Sequence, residues 1–245
     1  MNADDLGISS AVNEVIFQGM ERKVITSATM LANGGAVQAA AREVNRFPHC
    51  SFGIHLNLTE FEPMSSESLR DLKPILNKEN CFNGNSIREV PISVSMLRAI
   101  FREWCCQIES LIHLGIEPSH FDGHHHVHTI PHMIPVLVAL RRRYRIDKIR
   151  LSRNMYDRSE RPARILLAKK SIFNLALRTA GFRTTRIFTD LQTFVRLCGL
   201  RPPAPTAELM THPGALPRDG EAALLEENWP SKLSYDVALI SYKNL

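Results

Sequence analysis

Long apolar runs are missing from this 245-residue chain. No stretch approaches the about 18 consecutive apolar residues that a spanning helix requires, so no membrane-spanning helix is expected in it. The opening, MNADDLG, is polar and acidic, without the basic start and apolar core of a secretory leader. A cytoplasmic protein is the expectation. Cysteine is scarce as well. Cys50, Cys81, Cys105, Cys106 and Cys198 form no CxxC pair and no disulfide-framework spacing, so they read as reduced thiols without a catalytic part. Nor is there a nucleic-acid recognition motif where positive charge gathers. The net charge is +5, with cations concentrated in LRRRYRIDKIR and between Arg158 and Arg186. Without aromatic interleaving, these read as solvated helix faces that could also attract an anionic substrate or a membrane surface.

What is present is a regular alternation of apolar patterns. SSAVNEVIFQGMERK predicts a helix capped by Ser9 or Ser10, and VITSATML a strand rich in β-branched residues. GAVQAAAREVNRF places Val37, Ala40, Ala41, Val44 and Phe47 on one helical face, and Pro48 ends it. CSFGIHLNLT alternates with period two, as a strand does. From Glu60 to about Val94 prolines and Gly84 break all periodicity, and a loop that long suggests a wall or lid for a substrate. A helix follows over 96–114, with Leu97, Ile100, Phe101, Trp104, Ile108, Leu111 and Ile112 as its stripe and Gly115 beyond its end. Then come strand PSHFDG, helix IPHMIPVLVALRRRY, strand DKIRLSR, helix ARILLAKKSIFNLALRTAG, strand TAELMTHPG, and a last helical pattern from Asp236 to Asn244. Strand and helix in alternation predict one α/β domain over 1–245 with a parallel sheet, a distorted (β/α) barrel, complete or incomplete.

Buried parallel strands should be apolar, yet three segments carry polar groups toward their C-terminal ends. These are NADD (Asp4, Asp5), GIHLNLT (His55, Asn57, Thr59) and HFDGHHHVH (Asp122, His124), the last holding five of the ten histidines. In such folds the ligand site lies at the C-terminal ends of the strands. Two histidines and a carboxylate are a common set for a divalent ion that keeps open positions. Along a strand Asp122 and His124 share a face, which makes His124 the leading ligand and leaves His126 and His128 as outer partners or substrate contacts. His125 is expected to point away, and His113 and His120 to be structural.

Five motifs in order, NADDLGIS, VITSATMLANG, FGIHLNLTE, HFDGHHHVHTIP and ELMTHPG, resemble those of the YdjC-like carbohydrate deacetylase family, which includes chitooligosaccharide deacetylases. The resemblance runs from Asn2 to about Gly214. It implies a barrel related to polysaccharide deacetylases and one divalent ion, Mg²⁺ or Zn²⁺, held by Asp5, His55 and His124. It further implies Asp4 as general base and His212 as general acid, with Asp122 orienting a histidine and Asn57, His126 and His128 in outer or substrate-facing places. Family members carry a hydrophobic strand ahead of NADD, so a shortened first strand is expected here, leaving a neighbouring strand edge unpaired.

The activity implied is metal-dependent removal of acetyl groups from N-acetylated saccharides. A bound ion lowers the pKa of a water and polarises the acetyl carbonyl, while a positioned base and acid move protons. The expected partner is an N-acetylated saccharide, with a homodimer left open. Two rival readings are a catalytically impaired carbohydrate-binding homologue and a metal-dependent phosphoesterase.

Overall fold

In the computed structural model, which describes residues 1–214 and 221–245, six parallel strands form one curled sheet in the order β4-β3-β2-β1-β6-β5. They are β1 (Asn2–Leu6), β2 (Ser27–Met30), β3 (Ser51–Leu56), β4 (Phe121–Gly123), β5 (Ile187–Asp190) and β6 (Ala207–Thr211). The helices are α1 (Ser10–Glu21), α2 (Val37–Glu43), α3 (Leu69–Leu72), α4 (Val94–His113), α5 (Ile134–Tyr144), α6 (Arg164–Thr179), α7 (Leu191–Cys198) and α8 (Glu221–Glu226). The sheet curls into a half-barrel wrapped by helices, a distorted (β/α) barrel. Every residue of β2 and β3 is buried, as parallel strands covered on both faces must be.

The first strand corrects one expectation. The NADD motif is itself β1, and it lies inside the sheet, with Asn2 and Ala3 paired to Ser27 and Ala28 of β2 and to Met210 and Thr211 of β6. No neighbouring edge is left open there. DKIRLSR, in contrast, makes only isolated bridges, from Lys148 to Arg183 and from Ile149 to Phe121. Because β4 is three residues long, it offers little edge to a longer partner. The segment still spans the gap between β4 and β5, donating Arg150 N to Phe121 O and Ile149 N to Arg183 O.

Ser9 caps α1 by accepting from Val12 N. On α4 the buried face is rotated from the expected stripe. Glu103 and Gln107 are buried while Ile112 is exposed. These two polar residues hold the stretch from Glu60 to Val94. Glu103 accepts from the backbone of Met64 and Ser65, and Gln107 exchanges hydrogen bonds with the backbone of Asn57. That stretch is a folded wall of short turns, with Leu72, Ile75, Phe82 and Ile87 in the core.

Four elements were absent from the sequence reading, α3, β5, α7 and α8, of which α7 is capped by Asp190 accepting from Thr193 N. The helix expected from Asp236 to Asn244 does not form, apart from a turn at Tyr242–Asn244. Tyr235, Val237 and Leu239 face inward while Asp236, Ala238 and Ile240 are exposed, a period of two that belongs to extended chain. This segment closes the amino end of the barrel, where the Tyr242 ring stacks on His120 at 3.7 Å and its backbone N donates to Ser27 and Ser51 Oγ.

Candidate metal centre and active site

Successive residues of a strand point to opposite faces, so Asp4 and Asp5 should not share a site. Asp5 breaks the rule with φ 68, at a register shift between Ala3 and Leu6. The left-handed conformation is strained for a residue with a Cβ, and it turns both carboxylates toward His55. His125 (φ 47) and His126 (φ 57) repeat the device where β4 passes into its following turn.

Asp5 Oδ1 lies 3.1 Å from His55 Nε2 and 2.8 Å from His124 Nδ1, and these two nitrogens are 3.3 Å apart. Three ligands at about 2.1 Å from one ion, at roughly tetrahedral angles, are spaced at about 3–3.5 Å. The triangle therefore fits a single divalent cation. Although close to both nitrogens, Asp5 Oδ1 makes no hydrogen bond of acceptable geometry. It faces a common centre with them.

Asp122 sits behind His55, its Oδ1 2.7 Å from Nδ1, and is itself fixed by Thr29 Oγ1 and by Arg150. A carboxylate on Nδ1 leaves Nε2 directed at the centre. Burial opposes the charged form of His55, but Asp122, with Asp5 and Asp4, pushes its pKa up to about 10. For Asp5 burial likewise opposes ionisation, yet His124 and His55 hold its carboxyl well below the usual range.

Arg150 is one residue that sequence reasoning missed. Fully buried, it grips Asp4 in a fork (2.7 and 2.6 Å) and reaches Asp122 at 2.9 Å and Glu208 at 2.7 Å. Its signal in the sequence, a lone arginine in DKIRLSR, was hidden among neighbouring surface cations. Burial disfavours the Asp4 carboxylate, but this guanidinium keeps it well below the ordinary range. Of the roughly four acceptor sites on a carboxylate, Arg150 takes two and Asn2 Nδ2 a third. The remaining one belongs to Oδ2, the oxygen 3.7 Å from His212 Nε2.

The rest of the histidine run divides. His125, expected to point away, packs against His124 with ring centroids 4.1 Å apart, while its Nδ1 meets Thr59 Oγ1 and its carbonyl accepts from Arg88. Glu60, not singled out from the sequence, approaches His124 Nε2 at 3.5 Å. His126 is half-buried, lies edge-on to Phe188, and has its pKa lowered to about 3 by desolvation, with Arg150 adding to the effect. His128 is fully buried against Gly123, and burial holds it well below its ordinary range as well. Asn57 is fully buried. Its Oδ1 accepts from Thr59 and Glu60, and its Nδ2 donates to Asn33 Oδ1 and Glu60 O, so it builds the turn that presents Glu60.

A family model described as YdjC-like protein matches residues 1–234. A carbohydrate deacetylase of Geobacillus stearothermophilus is 38% identical over 147 residues, covering 60% of this chain and 56% of that protein. A chitooligosaccharide deacetylase of Klebsiella pneumoniae is 34% identical over 143 residues, 58% of this chain and 54% of its own length. These matches thus span little more than half of each relative. A carbohydrate deacetylase of Brevibacillus brevis is 28% identical over 250 residues, covering all of this chain and 91% of its own. Among solved structures, a proposed cellobiose-phosphate cleavage protein of Enterococcus faecalis superposes with TM-score 0.73 at 22% identity, over 99% of this chain and 96% of that one. At that identity the likeness speaks for the fold.

Proposed function

The chain belongs to the YdjC-like proteins, and from that membership we propose that it is a carbohydrate deacetylase that hydrolyses the acetamide of an N-acetylated saccharide. The observation that carries the reading is the triangle of Asp5 Oδ1, His55 Nε2 and His124 Nδ1, with edges of 2.8–3.3 Å, beside Asp4 and His212. In this reading the three residues hold one divalent ion, Mg²⁺ or Zn²⁺. Such an ion, when bound, acidifies a water and polarises the acetyl carbonyl.

The chain's own residues then have separate tasks. Asp122 keeps His55 in the tautomer that presents Nε2. Arg150 and Asn2 hold Asp4 ionised and immobile, with one acceptor position left on Oδ2 to take the proton of the attacking water. His212, next to that oxygen, delivers a proton to the departing sugar amine. His126 and His128, kept neutral by burial, shape the floor without adding positive charge near a cation. The folded wall between Glu60 and Val94, tied to the run through Arg88 and His125, borders the groove for the saccharide.

Acetate release from a series of N-acetylated chitooligosaccharides tests the proposal, after chelation and after re-addition of Mg²⁺, Zn²⁺, Mn²⁺ or Co²⁺. Metal-restored acetate release is expected. Saccharide binding without turnover in every metal would leave a binding protein, and release of phosphate from p-nitrophenyl phosphate in place of acetate would make it a phosphoesterase.

A further inference from the structure

Helix α6 carries an apolar face on the wrong side. Phe173, Asn174 and Leu177 turn inward and are buried, which accounts for half of its circumference. On the opposite half Ile165 (69% exposed), Ile172 (67%) and Leu175 (60%) stand in solvent. At 100° per residue these three, with Ala168, fall within one outward arc of about 80°. Lys169 borders that arc on one side and Arg164 on the other. Among the described residues neither cation has an ion-pair partner.

The charge of the surroundings narrows what can cover this face. From Arg161 to Thr189 there is no acidic residue, while seven are Lys or Arg. The acids just outside that stretch are engaged, Asp157 with Arg196, and Glu160 and Asp190 with Arg153. A second copy docked symmetrically through α6 would set this cationic strip against itself, with no free carboxylate to answer it. An apolar stripe flanked by lysine and arginine instead matches a surface that is apolar within and anionic at its boundary. Among the described residues no helix is long and apolar enough to cross a membrane, so attachment would be peripheral.

We propose that the outward face of α6, Ile165, Ile172 and Leu175 between Arg164 and Lys169, docks this protein on an anionic lipid bilayer. Co-sedimentation with phosphatidylglycerol-containing vesicles and with pure phosphatidylcholine vesicles tests it on the intact chain. Partition onto the anionic vesicles should be about tenfold stronger or more, given roughly fivefold for each cation near the surface. It should weaken as salt rises. The triple variant Ile165→Ser/Ile172→Ser/Leu175→Ser and the pair Arg164→Glu/Lys169→Glu should each lower it by about tenfold or more. Circular dichroism and melting temperature monitor folding of both, and the exposed charge pair serves if the triple variant fails to fold. A wild-type protein that stays in the supernatant with anionic vesicles overturns the proposal, as does a folded charge-reversed pair that binds like wild type. A concentration-dependent dimer dissolved by these substitutions, without vesicle binding, would assign the face to a second copy.

Discussion

Replacing Arg150 by methionine removes the guanidinium from the centre of three buried carboxylates. Asp4, Asp122 and Glu208 are each at most 3% exposed, and each lies within 2.9 Å of the guanidinium. Removing one partner of a buried pair costs about 3–5 kcal/mol, because a charge is left without compensation. Domains of this kind have a total stability of about 5–15 kcal/mol. Even if the three pairs are far from additive, Arg150→Met should therefore lose a third or more of the stability. The pH dependence is the sharper signature. In the wild type the folded-state pKa of Asp4 is depressed, so its stabilising contribution is present above the unfolded value of about 4 and is lost as pH falls through the folded value. In the variant burial remains but the guanidinium is gone, so the carboxyl pKa rises above the unfolded value. Its contribution then reverses sign, favouring the fold at low pH and fading as pH rises through the raised pKa. Thermal melts between pH 5 and 8 should show the variant gaining on the wild type toward acid. Adding Asp4→Asn to Arg150→Met should recover about 1–3 kcal/mol by removing one uncompensated charge. Parallel pH profiles, or a melting temperature matching wild type, would refute the claim that Arg150 neutralises this cluster.

Asp5→Asn and His55→Ala should each reduce Zn²⁺ or Co²⁺ affinity, read by calorimetry, by more than Asp122→Asn, for which about 10–100-fold is expected of an orienting partner. Equal losses at all three would make Asp122 a ligand in its own right. Asp4→Asn and His212→Ala should leave the ion bound and lower turnover by about 10²–10⁴-fold, and a substrate with a better leaving group should rescue only His212→Ala. Rescue of both would mean that Asp4 acts through His212, as their 3.7 Å separation also permits. Gly53→Ala would put a Cβ 2.5 Å from the His120 ring. Since that ring is clamped between Gly53 and Tyr242, a loss of about 1–3 kcal/mol in denaturant melts is expected, and an unchanged midpoint would show that the ring can move.

The alternation of strands and helices was legible because most segments bury one face and so keep a clear period. It failed where burial was divided differently. On α4 the expected apolar stripe ignored Glu103 and Gln107, whose burial serves backbone donors and acceptors of the neighbouring wall. At the C-terminus SYDVALISY alternates with period two, and its extended form is needed to bring Tyr242 under the sheet against His120. Reading 3.6 into a short apolar stretch is an ambiguity that length alone could not resolve.

The site was legible in its residue types and much less in its geometry. Strand phase placed Asp122 and His124 together, and both do meet His55. The same rule would have separated Asp4 from Asp5 and sent His125 outward. What defeats it is backbone strain at Asp5, His125 and His126, each held in a conformation that no composition or periodicity announces. Such strain persists only where surrounding contacts over-determine it. Here those contacts come from residues distant in sequence, Arg88 on the His125 carbonyl and Arg150 on the carboxylate next to Asp5. A single chain read in order shows the five histidines of HFDGHHHVH at once, but the arginine that sets the charge of the cluster is 26 residues beyond His124 and looks like any other cation in a basic stretch. Only its complete burial distinguishes it, and burial is a property of the folded barrel.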